Sequence, residues 1–161
     1  MSRPLIEAHG LKPHPEGGFY KETYRSAVKT ATPRGERPVS TGILYLLPEG
    51  QYSSLHRIKS DEMWHFHLGG ALRLTQISPK GKVESVILGP DVLKGEKLQH
   101  VVPAGFWFGA QPQPGASFCL LGCTVAPGFD FADFELGARS ALIAKFPSAR
   151  ETIERLTKKE E

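Results

Sequence analysis

Two side chains six residues apart, His56 and Glu62, are the pair in this chain best suited to chemistry. An imidazole changes charge near pH 6.5, and a carboxylate beside it orients the ring and holds one tautomer. Such a couple can abstract a proton next to a carbonyl without a metal, with His56 expected as the base and Glu62 as its partner or the acid. Trp64 and Phe66 alternate with Glu62 along one extended stretch, so a cavity facing Glu62 would be walled by them, while His65 and His67 point away. Aromatic walls grip a sugar ring or planar heterocycle and raise a carboxyl's pKa by desolvation. Tyr45 is a candidate hydroxyl donor if its face of the strand points inward. His9, His14 and His100 read as exposed or hydrogen-bonded imidazoles.

The elements that must position this pair read as short strands. Phe19–Arg25 is rich in aromatic and β-branched residues, and Ser40–Leu47 is a near-continuous apolar run ending at Pro48-Glu49-Gly50. Further strands are expected at Ser53–Ile58, Glu62–Leu68, Ala71–Ile77, Lys82–Leu88, Gln99–Val102, Trp107–Gln111 and Ser117–Val125. Turn signals such as Gly69-Gly70, Pro79-Lys80-Gly81 and Pro103-Ala104-Gly105 punctuate them. That spacing argues an all-β sandwich or closed barrel. A short helix is expected over Pro4–Ala8, closed by Gly10. Pro13–Gly18 reads as a turn, and Ala31–Pro38 as a solvated loop. The C-terminal third brings an aromatic-acidic segment, Pro127–Glu135, a helical pattern over Gly137–Lys145, and a last helix opened by a capping box at Ser148–Glu151.

With 161 residues and 40% hydrophobic content the chain suits one domain: an N-terminal helix and strand arm over 1–30, a core over 40–126, and C-terminal helices over 127–161. The net charge of +3 comes from scattered, interleaved residues, so no nucleic-acid face is expected. No run approaches 18 apolar residues and Met1–Glu7 lacks the apolar core of a signal peptide, which sets the expectation of a cytoplasmic protein without a membrane partner. Cys119 and Cys123 would sit roughly 13 Å apart on one strand face at ~3.3 Å per residue. A disulfide needs Cα atoms within about 7 Å, so both are expected as reduced, buried thiols.

The stretch Gly50–Gly69 resembles the first motif of the cupin superfamily: Gly, five residues, His, one residue, His, three or four residues, Glu, six residues, Gly. His56 and Glu62 match, and Ile58 replaces the second His. In the second motif Pro103-Ala104-Gly105 matches, whereas Phe108 stands where a third His belongs, Pro112 where Asn belongs, and Gly95 lies two residues too far upstream. Two of the four metal ligands are thereby replaced by apolar groups, which desolvate an ion without binding it. No metal or other cofactor is expected, and Phe108 joins Trp64 and Phe66 as a wall. Three further stretches, Pro15–Ser26, Leu55–His65 and Ala126–Leu136, resemble the cupin-like branch called domain of unknown function 985. The resemblance implies a cupin-type jelly-roll β-barrel with short terminal helices, homodimeric, around a cavity. It also invites comparison with nucleotide-sugar epimerases of cupin fold, which use a His at the position of His56 as base; no clustered basic signature for a diphosphate accompanies it here, although Arg57, Lys59 and Arg73 lie nearby.

These residues together point to a metal-independent isomerase or epimerase acting on a sugar-like or other carbonyl compound. It would use His56 and Glu62 catalytically, with Tyr45, Trp64, Phe66 and Phe108 binding the substrate. Two alternatives stand beside it: a small-molecule binding or sensing protein without chemistry, and a metalloenzyme using His56, Glu62 and an unforeseen ligand.

Overall fold

Three apolar layers explain the architecture of residues 2–160, which the computed structural model describes. The elements run α1 (Ser2–His9), β1 (Lys12–Pro13), β2 (Phe19–Arg25), β3 (Lys29–Thr32), β4 (Gly35–Pro38), β5 (Thr41–Pro48), β6 (Ser53–Arg57), β7 (Asp61–Gly69) and β8 (Leu72–Ile77). They continue with β9 (Val83–Leu88), β10 (Gln99–Val102), β11 (Trp107–Pro112), β12 (Phe118–Ala126), β13 (Glu135–Leu136), α2 (Arg139–Lys145) and α3 (Arg150–Arg155). One sheet has the order β1-β2-β5-β12-β7-β10, and the facing one β13-β6-β11-β8-β9. This is the expected jelly-roll, built as two facing sheets that no hydrogen-bond ladder closes into a ring.

The central layer fills the space between the sheets. Tyr45, Leu47, Trp64, Leu121 and Cys123 come from the first sheet, and Leu72, Leu74, Leu88 and Phe108 from the second. β5 reads as continuously apolar because both of its faces are covered. Leu46, on the outer side, packs with Leu11 and Leu120 beneath Leu5 and Ile6 of α1. The second sheet is covered on its outer side as well: Leu55, Ile77 and Trp107 meet Leu142, Phe146, Ile153 and Leu156 from the C-terminal helices. Each such fully buried aliphatic side chain contributes about 1.5–3 kcal/mol. Gly10, at φ 62°, closes α1 as expected, with the Leu11 N–H donating to the Ile6 carbonyl at 2.9 Å. Both cysteines are free and buried.

Two local expectations are corrected. Ala31–Pro38 is no open loop: β3 and β4 form a hairpin pairing Thr32 with Gly35 and Lys29 with Pro38. Arg37 gives this polar segment a buried anchor, its guanidinium donating to Asp133 at 2.9 and 3.0 Å. The capping box at Ser148–Glu151 does not form, because Pro147 opens a tight 3-10 turn over Pro147–Ala149 that draws Ser148 into helical backbone; α3 then starts after Ala149 with no side-chain cap. No described helix is long and apolar enough to cross a membrane.

Candidate active site

The core does not fill one end of the sandwich, and a cavity of about 430 Å³ remains there. Cross-strand register decides which side chains reach it. On the inner face of the first sheet, Thr41 pairs with Val125 and Val125 with Glu62; one step deeper, Ile43 pairs with Cys123 and Cys123 with Trp64. Glu62, Thr41, Val125, Ile43 and Cys123 line the cavity, together with His56 and Ile58 from the opposing sheet's side.

The structure therefore brings His56 and Glu62 together as cavity-lining residues but does not bring the expected aromatic walls with them. Tyr45, Trp64 and Phe108 point inward and are fully buried, yet they stack behind the cavity as its floor. Trp64 sits 5.8 Å from Tyr45 and 6.2 Å from Phe108 between ring centroids. Phe66 packs against the same core from a partly buried position. Strand alternation gives the face of a side chain, not its depth, and the sandwich is plugged one residue pair below Glu62. His65 and His67 do lie on the outer face. His65 Nε2 meets the Thr124 hydroxyl at 2.9 Å, and His67 lies over Gly122 at a β-bulge. His100 Nε2 is bound to Gln76 Oε1 at 2.8 Å.

The residue that local reading of the sequence misses is Glu16. His56 Nε2 lies 2.8 Å from Glu16 Oε2, and both side chains are buried. The turn carrying Glu16 is held by long-range contacts. The Ser54 N–H donates to the Glu16 carbonyl at 2.6 Å, and the Tyr45 hydroxyl donates to the Gly17 carbonyl at 2.5 Å. Gly17 adopts φ 108°, where a Cβ would lie 2.1 Å from the Tyr52 carbonyl oxygen, so only glycine allows the turn to lie against β6. Tyr45 is thus a positioning residue: its hydroxyl is committed to the turn, and burial pushes its pKa well up. His14, read from sequence as an ordinary imidazole, lines the cavity, and its Nδ1 accepts the Glu16 N–H at 3.0 Å. Burial pushes its pKa down, against the opposing pull of Glu16, so it stays neutral with the proton on Nε2.

A lid closes the cavity. Phe129, Phe131 and Phe134 line it, and the Phe134 ring stacks on His56 at 5.5 Å and 28° while Phe108 approaches from behind at 4.1 Å. The lid is pinned by the Phe129 N–H donating to the Thr41 hydroxyl at 2.8 Å, and by Asp133 accepting from both Arg37 and Arg34. At the mouth, a bulge at Thr23 reverses the alternation of β2, so that Arg25 rather than Tyr24 turns inward beside Glu22. The family-like stretches Pro15–Ser26 and Ala126–Leu136 hold Glu16, Glu22, Arg25 and the lid phenylalanines, so the signal for these residues was the resemblance rather than any local pattern.

The protons follow from the contacts. The Ser54 carbonyl, 2.7 Å from His56 Nδ1, can only accept, so Nδ1 carries a hydrogen. The short Nε2–Glu16 contact needs a second one. Burial works most strongly against charge on His56, but Glu16 together with Glu62 and the Ser54 carbonyl overcomes it and the imidazole pKa rises; burial likewise opposes charge on Glu16, but His56 together with its other neighbours overcomes it and the carboxyl pKa falls. The couple rests as imidazolium and carboxylate. Glu62 behaves oppositely. Burial pushes it up to about 7, with His56 pulling down and Glu16 pushing further up, and its Oε2 has no hydrogen-bond partner.

The family profile described as Cupin superfamily (DUF985) matches residues 3–137. The chain belongs to this cupin family. An uncharacterized protein of Saccharomyces cerevisiae is 33% identical to the cupin, over 80% of this chain and 71% of its own. A protein from Shewanella oneidensis superposes at TM-score 0.91 with 39% identity, covering 99% and 98% of the two chains. A hypothetical protein from Leishmania major gives 0.93 and 34%, covering 99% of each. Oxalate decarboxylase from Bacillus subtilis, at TM-score 0.57 and 20% identity over 92% of this chain and 37% of that one, shares the fold alone.

The metal of many cupins finds no donor set here. Among the described residues no three His, Cys, Asp or Glu side chains are grouped to hold an ion. Both His56 nitrogens already have partners in Ser54 and Glu16, and Ile58 and Phe108 offer carbon where ligands would stand.

Proposed function

We propose that this cupin is an acid–base enzyme of the isomerase or epimerase type acting on a small carbonyl compound such as a sugar. The observation that carries it is the placement of two proton-exchanging groups on opposing sheets of one cavity: His56, coupled to Glu16, on β6, and Glu62 on β7. A base whose pKa lies near the working pH is the most effective proton acceptor, and Glu62 at about 7 meets that condition. The roles expected from sequence are therefore exchanged. The Glu62 carboxylate takes the proton from the carbon next to the carbonyl, and the electron pair of that C–H bond passes into the carbonyl as an enolate. The His56–Glu16 couple returns a proton from the other side, which inverts the carbon: Glu16, which also lines the cavity, delivers it as the Nε2 proton of the imidazolium passes to the carboxylate. Exchange with water resets both groups.

Solvent deuterium incorporation, followed by proton NMR over a panel of aldoses, ketoses and lactones, tests this. Glu62→Gln should reduce exchange at least about 100-fold, the lower range for removing a positioned acid or base. A panel member that binds with no exchange and is recovered unchanged would replace this reading with a binding cupin. That second reading draws support from the internal satisfaction of His56 and Tyr45, whose polar atoms all have protein partners.

A further inference from the structure

The charge lining the cavity specifies a substrate class for the proposed enzyme, an inference that rests on that proposal's choice of cavity. Four carboxylates line it, Glu16, Glu22, Glu62 and Asp130, against a single guanidinium, Arg25, and the imidazoles of His14 and His56. Every cation is already matched. Arg25 Nε and Nη2 donate to the two oxygens of Glu22 at 2.8 and 2.9 Å, and Nη2 also donates to the Phe129 carbonyl at 3.1 Å. The Nε–Nη2 edge, one of the two with which Arg binds phosphate or carboxylate bidentately, is occupied by the protein itself, and the other hydrogen of Nη2 is turned to the Phe129 carbonyl. His56 is matched by Glu16 at 2.8 Å. His14 accepts a backbone hydrogen bond on Nδ1 and so brings no charge. After pairing, Asp130 and Glu62 are left over, Glu62 at about 7 carrying only part of a negative charge near neutral pH. The chain as a whole carries +3, so this negative interior is local. The Glu62 Oε2, more than nine-tenths buried and without a partner, faces the cavity as an acceptor awaiting a donor.

We infer that the cavity selects against anions and takes an uncharged, hydroxyl-bearing carbonyl compound, a free sugar or lactone rather than a sugar phosphate, sugar acid or nucleotide sugar. A hydroxyl donates to Glu62, and the CH faces of the ring lie against Phe129, Phe131 and Phe134. An anionic group would have to displace Glu22 from Arg25 next to Asp130, or sit unpaired in a low-dielectric pocket. The fold neighbour acting on oxalate shares the scaffold without this lining being implied for it.

Isothermal titration of the full chain with D-fructose, fructose 6-phosphate and inorganic phosphate, for wild type and Glu22→Gln, decides it. Wild type should bind both phosphates more weakly than it binds fructose. Glu22→Gln, which frees Arg25, should bind fructose 6-phosphate roughly tenfold more tightly than wild type does, the scale of one charge-assisted hydrogen bond. Tighter binding of fructose 6-phosphate than of fructose by wild type overturns the inference, as does a folded Glu22→Gln that gains nothing. Should Glu22→Gln not fold, Asp130→Asn tests the charge balance instead, since Asn keeps the acceptor that Asp130 offers to the Ala132 N–H: fructose 6-phosphate should bind it more tightly than wild type, and no gain overturns the inference. Deuterium exchange into fructose 6-phosphate by wild type would overturn this inference while leaving the acid–base proposal intact. Anion exclusion without exchange in any sugar would do the reverse.

Discussion

Replacing Glu62 by Gln should abolish a loss of stability that the wild type suffers as pH rises from acid to base. Burial raises the Glu62 pKa from an ordinary 4.5 to about 7, so the folded state holds this proton more tightly than the unfolded chain. A raised folded pKa contributes stability that is complete below pH 4.5 and is lost as pH rises toward 7, after which the loss is constant. With those two values the wild type loses roughly 2–3 kcal/mol from this group between pH 5 and pH 8. The residue is buried, so solvent screening does not erode the figure much. Gln carries the same shape without the titration. Its amide adds an unpartnered donor at every pH, which offsets both measurements equally and cancels in the difference. Urea unfolding of both proteins at pH 5 and pH 8 is the assay. The stability of Glu62→Gln relative to wild type should rise by about 2–3 kcal/mol across that range, equivalent to a gain of about 5–10 °C in Tm for a chain of this size. A pH-independent difference between the two proteins would mean that Glu62 is solvated or paired, and would remove the basis for calling it the base.

Glu16→Gln takes away the charge that holds His56 protonated, so the His56 imidazole should titrate at lower pH in an NMR experiment; Glu16→Ala should also cost about 3 kcal/mol, as expected when one member of a buried pair is removed. Asp133→Ala releases Arg34 and Arg37 together, and limited proteolysis should then cut within residues 127–136 where the wild-type lid resists. Dialysis against EDTA should leave Tm and any exchange activity unchanged, since no donor set for an ion is assembled among the described residues; a fall in either would revive the metalloenzyme alternative. Sedimentation should show a species of about twice the 17.7 kDa chain mass, with Leu68, Leu98 and Val101, exposed along the β7–β10 edge, covered in the dimer; a monomer at micromolar concentration would reject that expectation.

The strands were legible in the sequence because their signals are local. Apolar alternation, β-branched content and turn glycines place β5 to β12 within a residue or two of the observed ends. The His56–Glu62 spacing was legible because both residues sit on strands whose inward faces follow from parity. Glu16 was not, since its role depends on a turn folded against β6 some 40 residues away, and local reading registers only the turn chemistry of Pro15 and Gly17-Gly18. Arg25 was hidden by the bulge at Thr23, which swaps the inner face of β2 and leaves no mark in hydrophobic pattern. The lid was visible as an unusual aromatic-acidic segment, but what it covers is set by Asp133 meeting Arg34 and Arg37 across nearly 100 residues of chain.

The substitutions that remove the metal ligands and the carboxylate that joins His56 make sense only together. Ile58 and Phe108 surround the imidazole with carbon, and Phe134 stacks on its other side. In such surroundings an imidazole alone would lose its charge, because desolvation favours the neutral ring. A bound cation would have needed Nε2, and that atom instead meets Glu16 at 2.8 Å. The carboxylate therefore does for the ring what burial would otherwise undo: it keeps a proton on Nε2 in a dry pocket. Burial, more than any neighbour, pushes the second carboxyl, Glu62, up to about 7, and the negative charge of Glu16 adds to it against the pull of His56. His56 is thus held protonated by its carboxylate partner while burial leaves Glu62 at about 7, where it can take up a proton near neutral pH, so the cavity holds both an acid and a base. Had the turn lacked Gly17, whose backbone must lie directly against the Tyr52 carbonyl, Glu16 could not reach His56, and the buried imidazole would lose its charge.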